Sequence, residues 1–268
     1  MKKCNSRKNI WLMGGFGNVL FQILAFNVLS KNNKSIFFVD ILTKKNTITK
    51  FIRWTIHEKL YNDLIDKRQL NEVSFFKALF IILTSLISKK LNLKFKLSTF
   101  YSSSLKIDEK LCKNIFSYFQ YNEFLKKNQY ELLQFGNSLK LKYGLKQKHP
   151  IVVHYRKGDS VWALKHSYYY NEIKKMLNDE DLPILIVTDN LKDAKHFFSE
   201  IQNTSILSSK NALEDFKHLI SSKKLYCAPS TFSWWAAHSL DDKAEVIIPK
   251  FFENNLGIYV KTKNLTIV

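Results

Sequence analysis

Residues 10–30 read IWLMGGFGNVLFQILAFNVLS: an apolar run from Ile10 to Met13, a glycine-rich turn, and then Leu20, Phe21, Leu24, Ala25 and Val28 at helical spacing between Asn18 and Ser30. This succession predicts a strand, a tight turn and a helix. Gly14, Gly15 and Gly17 are three of the chain's seven glycines. Where a strand feeds a helix, such a turn lets the backbone approach an anion closely, and the helix start supplies free amides. Asn18 either caps this helix or offers its amide to a ligand. The spacing is neither G-x-G-x-x-G nor a Walker A loop. A purely structural turn competes with a ligand cradle. Its place after the first strand favours the cradle, because ligands of open sheets sit beyond the strands' carboxyl ends.

Outward from this unit, 35–39 is the next predicted strand, ending at Asp40, and 51–98 is mainly helical and rich in lysine. A helix is predicted at 123–141. The composition changes at Pro150: no proline precedes it, and Pro150, Pro183, Pro229 and Pro249 all fall in the remainder. Beyond it, strands are predicted at 151–154, 184–187, 224–228 and 245–248, and helices at 168–177, 191–199, 214–220 and 232–240. Short strands alternating with helices indicate a mostly parallel sheet covered on both faces. The predicted fold class is α/β, with two Rossmann-like domains, 1–148 and 149–268, facing across a cleft.

The chain has 268 residues and is 46% apolar, too rich in core-forming residues for a disordered polyelectrolyte. Its 42 basic and 23 acidic residues leave a formal charge of +19, a field that attracts nucleic acid, anionic lipid or a phosphorylated small molecule without choosing among them. Arginine occurs only at Arg7, Arg53, Arg68 and Arg156. Dispersed lysines read as a solvated surface, whereas an arginine within an apolar region usually has a fixed anionic partner. Cys4, Cys112 and Cys227 have neither zinc-site nor CxxC spacing. They fit a reducing compartment, and no signal peptide is expected at the basic start. The expected location is cytoplasmic. Ala78 to Ile87 is apolar but too short to span a bilayer; it reads as a buried helix, with peripheral contact to an anionic membrane as the alternative, since Lys77, Lys89 and Lys90 flank it.

A second cluster follows Pro150. The apolar strand 151–153 runs into His154, Tyr155, Arg156, Lys157, Gly158 and Asp159, and charge at the end of a buried strand needs partners. Alternation places His154 and Arg156 on one side and Tyr155 and Lys157 on the other. Arg156 can fork across a diphosphate, and Lys157 can add a mobile charge. His154 and Asp159 are candidate proton acceptors; a core histidine and a structural salt bridge from Asp159 are the plainer readings. The third cluster, CAPSTFSWWAAHSL at 227–240, sets Ser230, Thr231 and Ser233 at a helix start, as phosphate ligands or as caps, with Phe232, Trp234 and Trp235 as core. Upstream, Asp189 closes the predicted strand 184–187.

In their order and spacing, GGFGNVLFQ, HYRKGD, VTDN and PSTFSWWAAHSL resemble the motifs of bacterial α-1,2-fucosyltransferases of glycosyltransferase family 11, and SYFQYNEFL and EVIIPKFF extend the resemblance. It spans 10–252, with little of it in 45–110. The resemblance implies a GT-B-like fold, an acceptor-side N-terminal domain, a C-terminal domain that binds the nucleotide sugar, and inverting transfer of fucose from GDP-fucose to a glycan hydroxyl in surface polysaccharide synthesis. It assigns Arg156 to the donor's phosphates and sets Gly15, Gly17, Asn18 and Gln22 near the cleft. Lys157, Asp189, Ser230, Thr231 and Ser233 complete the expected donor site. No cofactor and no metal are expected, and no nucleic acid partner. This chain departs from the family pattern at Lys157, where a second arginine is usual, at Ser160, usually tyrosine, and at Ser117, commonly glycine. Another nucleotide sugar as donor, or a basic nucleic-acid-binding protein, are the alternative functions.

Overall fold

Strand β1 (Lys8–Trp11) leads through the glycine turn into helix α1 (Phe16–Ser30) and then β2 (Ile36–Leu42). A 3-10 turn at Lys67–Gln69 precedes β3 (Leu70–Ser74), α2 (Phe75–Lys90), β4 (Ser98–Phe100), β5 (Asn114–Phe116) and α3 (Asn122–Lys127). The computed structural model describes residues 8–31, 35–42, 63–90, 98–100, 114–157, 167–209 and 211–268. All pairings of the first sheet are parallel, in the order β3-β2-β1-β5-β4. Trp11 and Phe116 stack across β1 and β5 with ring centroids 4.8 Å apart. Ala78 and Ile82 of α2 close the same core over Met13 and Val39.

Helix α4 (Gln129–Tyr143) is the first element lying wholly in the second unit. It is followed by β6 (His149–Tyr155), α5 (Ser167–Leu177), β7 (Ile184–Thr188), α6 (Leu191–Phe197), β8 (Thr204–Leu207) and α7 (Ala212–Leu219). Then come β9 (Ser222–Tyr226), α8 (Thr231–Ser239), β10 (Glu245–Ile248), α9 (Lys250–Asn255) and β11 (Asn264–Ile267). This sheet is also wholly parallel, ordered β11-β10-β9-β6-β7-β8. From β6 the chain steps outward through β7 and β8, then returns to the other side of β6 for β9, β10 and β11, the doubly wound Rossmann order. Ile151 to Tyr155 are buried throughout, the condition under which a strand needs no polar alternation. The expected α/β class, with two Rossmann-like parallel sheets, is what the chain adopts.

Several boundaries differ from the sequence expectation. The chain divides into compact units at 1–124 and 125–268, ahead of the proline signal, because α4 packs on α8. Phe135 meets the Trp235 ring edge-on at 5.3 Å, and Gly136 is the close-approach point, where a methyl would overlap the His238 carbonyl. The expected helix at 123–141 is two helices, broken at Asn128, whose φ of −114° and ψ of 34° are non-helical. Asp40 lies within β2, not at its end. The mainly helical expectation for 51–98 holds for α2, but β3 and a 3-10 turn precede it; 51–62 and 91–97 lie outside the described residues. Residues 232–239 of α8 are all buried, so Phe232, Trp234 and Trp235 are core.

Candidate functional site

In the second unit the strand order reverses between β6 and β9, and ligands of such sheets bind outside the carboxyl ends at that point. The end of β6 and the start of α8 meet there. His154, the penultimate residue of β6, is buried and its Nδ1 is hydrogen-bonded to the Ser233 hydroxyl, which also accepts from the Ala228 N–H at 2.9 Å. Phe232 packs on the imidazole at 5.4 Å. Burial, and secondarily the charge of Arg156, hold His154 down to a pKa of about 3. The ring is neutral and engaged, and it pins the β9–α8 turn to β6. The fully buried Ser233 is the other half of this pin, not a hydroxyl presented to solvent. Neither sits where a ligand would first arrive.

Ser230 and Thr231 are placed differently. Both are half-exposed at the start of α8. Ser230 is the N-cap, its Oγ accepting from the Ser233 N–H at a long 3.4 Å. The nine-residue helix α8 behind them directs its dipole's positive end to this point.

Beyond β6 the alternation is as the sequence predicts. Tyr155 lies between the Tyr170, Phe197 and Phe198 rings, and Lys157 Nζ lies on that side, 5.8 Å from the Tyr155 ring and 5.9 Å from Phe197. Two carboxylates face the two cations: Asp189 Oδ2 is 3.8 Å from Arg156 Nε, and Asp193 Oδ2 is 3.9 Å from Lys157 Nζ. All four side chains are about a quarter to two-fifths exposed, so these long ion pairs contribute little to stability. Asp189 also accepts from the Lys157 main-chain N–H at 2.9 Å, which fixes the chain just past the strand.

Tyr155 and two residues that the sequence did not single out, Tyr170 and Asp193, complete this surround. The Tyr170 hydroxyl accepts from the Arg156 N–H at 3.2 Å and donates to the Arg156 carbonyl at 3.1 Å. The Tyr155 hydroxyl donates to Asp193 Oδ2 at 2.5 Å. Burial raises both phenols' pKa, with Asp193 adding to the rise at Tyr155, so both remain protonated donors. Asp193 lies four residues beyond Asp189, across the Asn190 cap that accepts from its N–H at 3.2 Å; this i, i+4 carboxylate pair after a strand was the available signal.

In the first unit, the turn after β1 is built around Gly14, whose φ of +77° is the left-handed conformation and whose added Cβ would lie 2.5 Å from Asn18 Nδ2. Gly15, not Asn18, is the N-cap of α1, and it has no side chain to close the helix end. A Cβ at Gly15 would meet nothing within 4 Å, so the exposed face of the turn is open. Gly17 is buried in the first turn of α1. Asn18 is half-exposed, and its Oδ1 accepts from Gln120 Nε2 at 2.7 Å. The buried Gln22 ties the turn to the neighbouring strand: its Oε1 accepts from the Met13 N–H and its Nε2 donates to the Ser117 carbonyl, each at 3.0 Å. Gly15, Gly17 and Asn18 are thus brought together at the carboxyl end of β1, where this sheet also reverses order.

Gly158 and Asp159 lie outside the described residues. The sequence holds one Asp-x-Asp run, Asp179–Glu180–Asp181, which the metal-free expectation has to accommodate. It precedes β7, at the end of the sheet away from the site, and Glu180 there accepts from the Tyr226 hydroxyl at 2.9 Å and pairs with Lys224 at 2.5 Å. Among the described residues, no group of three or more His, Cys, Asp or Glu side chains is arranged to hold a metal ion.

No protein-family model and no curated protein matches this chain. Among solved structures, it is similar to the heptosyltransferase WaaC of E. coli with ADP, at 12% identity over 97% of this chain and 92% of that one, TM-score 0.47. It is also similar to a glycosyl transferase of family 9 from Veillonella parvula, at 11% identity over 100% and 88% of the two chains, TM-score 0.46. The fucosyltransferase NodZ from Bradyrhizobium aligns at 12% identity over 88% and 94%, TM-score 0.38.

Proposed function

We propose that this chain is an inverting glycosyltransferase that moves fucose from GDP-fucose to a glycan hydroxyl in an α-1,2 linkage, in the assembly of a surface polysaccharide. The observation that carries this reading is the pair Arg156 and Lys157, held by long and weak ion pairs just beyond β6, beside the reversal point at which α8 begins. Two cations and a helix start are suited to the diphosphate of a leaving nucleotide. The donor's identity and the linkage rest on the family resemblance of the four sequence blocks.

In the reaction, the acceptor hydroxyl oxygen attacks the anomeric carbon of fucose from the face opposite the diphosphate. The carbon–oxygen bond to the β-phosphate breaks, its electron pair leaves with GDP, and the hydroxyl proton passes to a base or to solvent. Arg156 and Lys157 meet the charge that develops on the departing oxygens, with the positive end of the α8 dipole alongside. His154 is a positioning residue in this scheme: its depressed pKa and its bond to Ser233 suit it to hold the α8 start, not to take a proton. Asp159 is the remaining candidate base. The proposal needs no cofactor and no metal.

A donor screen tests it. Purified protein is given GDP-fucose, GDP-mannose, UDP-sugars and ADP-sugars with a panel of oligosaccharide acceptors, and products are resolved by mass spectrometry and linkage analysis. GDP-fucose alone should support turnover. Turnover confined to another nucleotide sugar overturns the donor. Tight, salt-sensitive binding to duplex DNA with no binding to any nucleotide sugar overturns the transferase reading in favour of a nucleic-acid-binding protein.

A further inference from the structure

Helix α2 carries two apolar faces, and the core uses one. Ala78 and Ile82 are buried against the first sheet's core. On the opposite side Phe76, Phe80 and Leu83 are 81%, 68% and 48% exposed. Their spacing of four and three sets them in one row along the helix. Two phenylalanines and a leucine held in water forgo a large hydrophobic gain. The ionisable residues of the 16-residue helix are all lysines: the exposed Lys77, and Lys89 and Lys90 at its end. No helix among the described residues is long and apolar enough to cross a membrane.

We infer that this face of α2 docks on the surface of an anionic bilayer, with Phe76, Phe80 and Leu83 inserted below the head groups and Lys77 at head-group level. The argument is charge complementarity. A lysine-bordered helix without a carboxylate, in a chain of formal charge +19, is matched to a surface of phosphate head groups over apolar tails. A second copy would bring +19 against +19, which opposes self-association through this face. A nucleic acid backbone would leave the row of rings uncovered. The sequence expectation for Ala78 to Ile87 was a buried helix, with bilayer contact as its alternative; Ala78 and Ile82 are buried, whereas Phe80 and Leu83 face out. This inference concerns a surface of the first unit and stands independently of which sugar is transferred.

The test is flotation of the full chain with vesicles of phosphatidylcholine alone or with a third phosphatidylglycerol, comparing wild type with the double variant Phe80→Ser, Leu83→Ser. The variant keeps the net charge and alters exposed positions, and circular dichroism checks its fold. Wild type should bind anionic vesicles and not neutral ones, and the variant should bind at least roughly tenfold more weakly, the effect of withdrawing one large apolar side chain from the interface. Tryptophan substituted at Phe80 should blue-shift its emission on binding. Three results overturn the inference: no preference of wild type for anionic vesicles, equal binding by the folded variant, or sedimentation showing that the row is covered by a second copy in solution.

Discussion

The hydroxyl of Tyr170 grips both main-chain groups of Arg156, accepting from its N–H at 3.2 Å and donating to its carbonyl at 3.1 Å. A residue just past a strand's last pairing loses the ladder that would orient it, and this phenol supplies a substitute. Tyr170→Phe should cost about 1–2 kcal/mol of stability, the scale of losing a hydrogen bond and leaving its partners unsatisfied. It should also lower kcat/KM for the donor about tenfold as the Arg156 side chain loses its fixed origin. Tyr226→Phe, which removes a hydroxyl that donates to Glu180, is the control: destabilised, but with turnover intact. If both variants lose activity in proportion to stability, Tyr170 has no positioning role.

Arg156→Ala should reduce transition-state stabilisation by about 2–4 kcal/mol, the scale of deleting an aimed electrostatic donor. Binding of GDP alone should weaken less than turnover does. Lys157→Arg should leave activity at wild-type level or raise it, because the longer planar group can fork across phosphate while still reaching Asp193, now 3.9 Å from the ammonium. Single-turnover kinetics with saturating donor reads both, and a folded Arg156→Ala enzyme at full rate removes Arg156 from the mechanism.

The two leading glycines of the turn should respond in opposite ways. Gly14→Ala forces a side chain into left-handed backbone and against Asn18, and should cost about 1–3 kcal/mol. Gly15→Ala enters open space and should change the melting temperature little, while Gly15→Val should spare the fold and slow turnover if the open face admits substrate. Thermal unfolding beside initial rates separates these outcomes. Equal destabilisation by the two alanine variants contradicts the geometry of the turn.

Stability should fall as pH is lowered from 7. His238 is fixed in its Nδ1–H form, because Nε2 accepts from the Tyr259 N–H at 3.0 Å and Nδ1 faces the Trp234 carbonyl at 2.6 Å. Burial holds it, like His154, down to about 3. Folded pKa values below the unfolded one mean that unfolding takes up protons: stability is complete above about 6.5 and is lost as pH falls toward about 3. Each ring contributes a slope of about 1.4 kcal/mol per pH unit within that window. His149 and His218, lowered by their partial burial, act in the same direction. Urea unfolding between pH 7.5 and 5 should show an uptake of about two protons near pH 5; an uptake below one refutes the assignment.

The parallel α/β class was legible because its strongest signals are local. The apolar runs 151–154, 184–187 and 245–248 are buried on nearly every residue, and the helices between them keep their period. The strands that escaped notice carry little signal of their own. β5 is three residues long yet lies inside its sheet, between β1 and β4, and β8 and β11 are edge strands with polar residues. The site residues were legible by charge, since Arg156 is one of four arginines in the chain, but not by exposure. Nothing in the sequence separates Ser230 at the helix surface from Ser233 inside it. That distinction depends on which hydroxyl His154 reaches, a contact across 79 residues. Tyr170 was invisible for the same reason, as its bond to Arg156 exists only once α5 has folded back over β6.

The doubly wound order also bears on how the chain emerges during synthesis. β6 is the first strand of its sheet to be made and lies in the middle of it, with β7 on one flank and β9 on the other. Once β7 has paired, the opposite edge of β6 stays bare until two more helices and β8 have been translated, and that edge is the apolar run Ile151 to Val153. An unpaired apolar edge is the kind that recruits strands from other chains. Ribosome-bound chains that end before Ser222 should therefore be the ones held by chaperones, and completion of β9 should be the event that releases them.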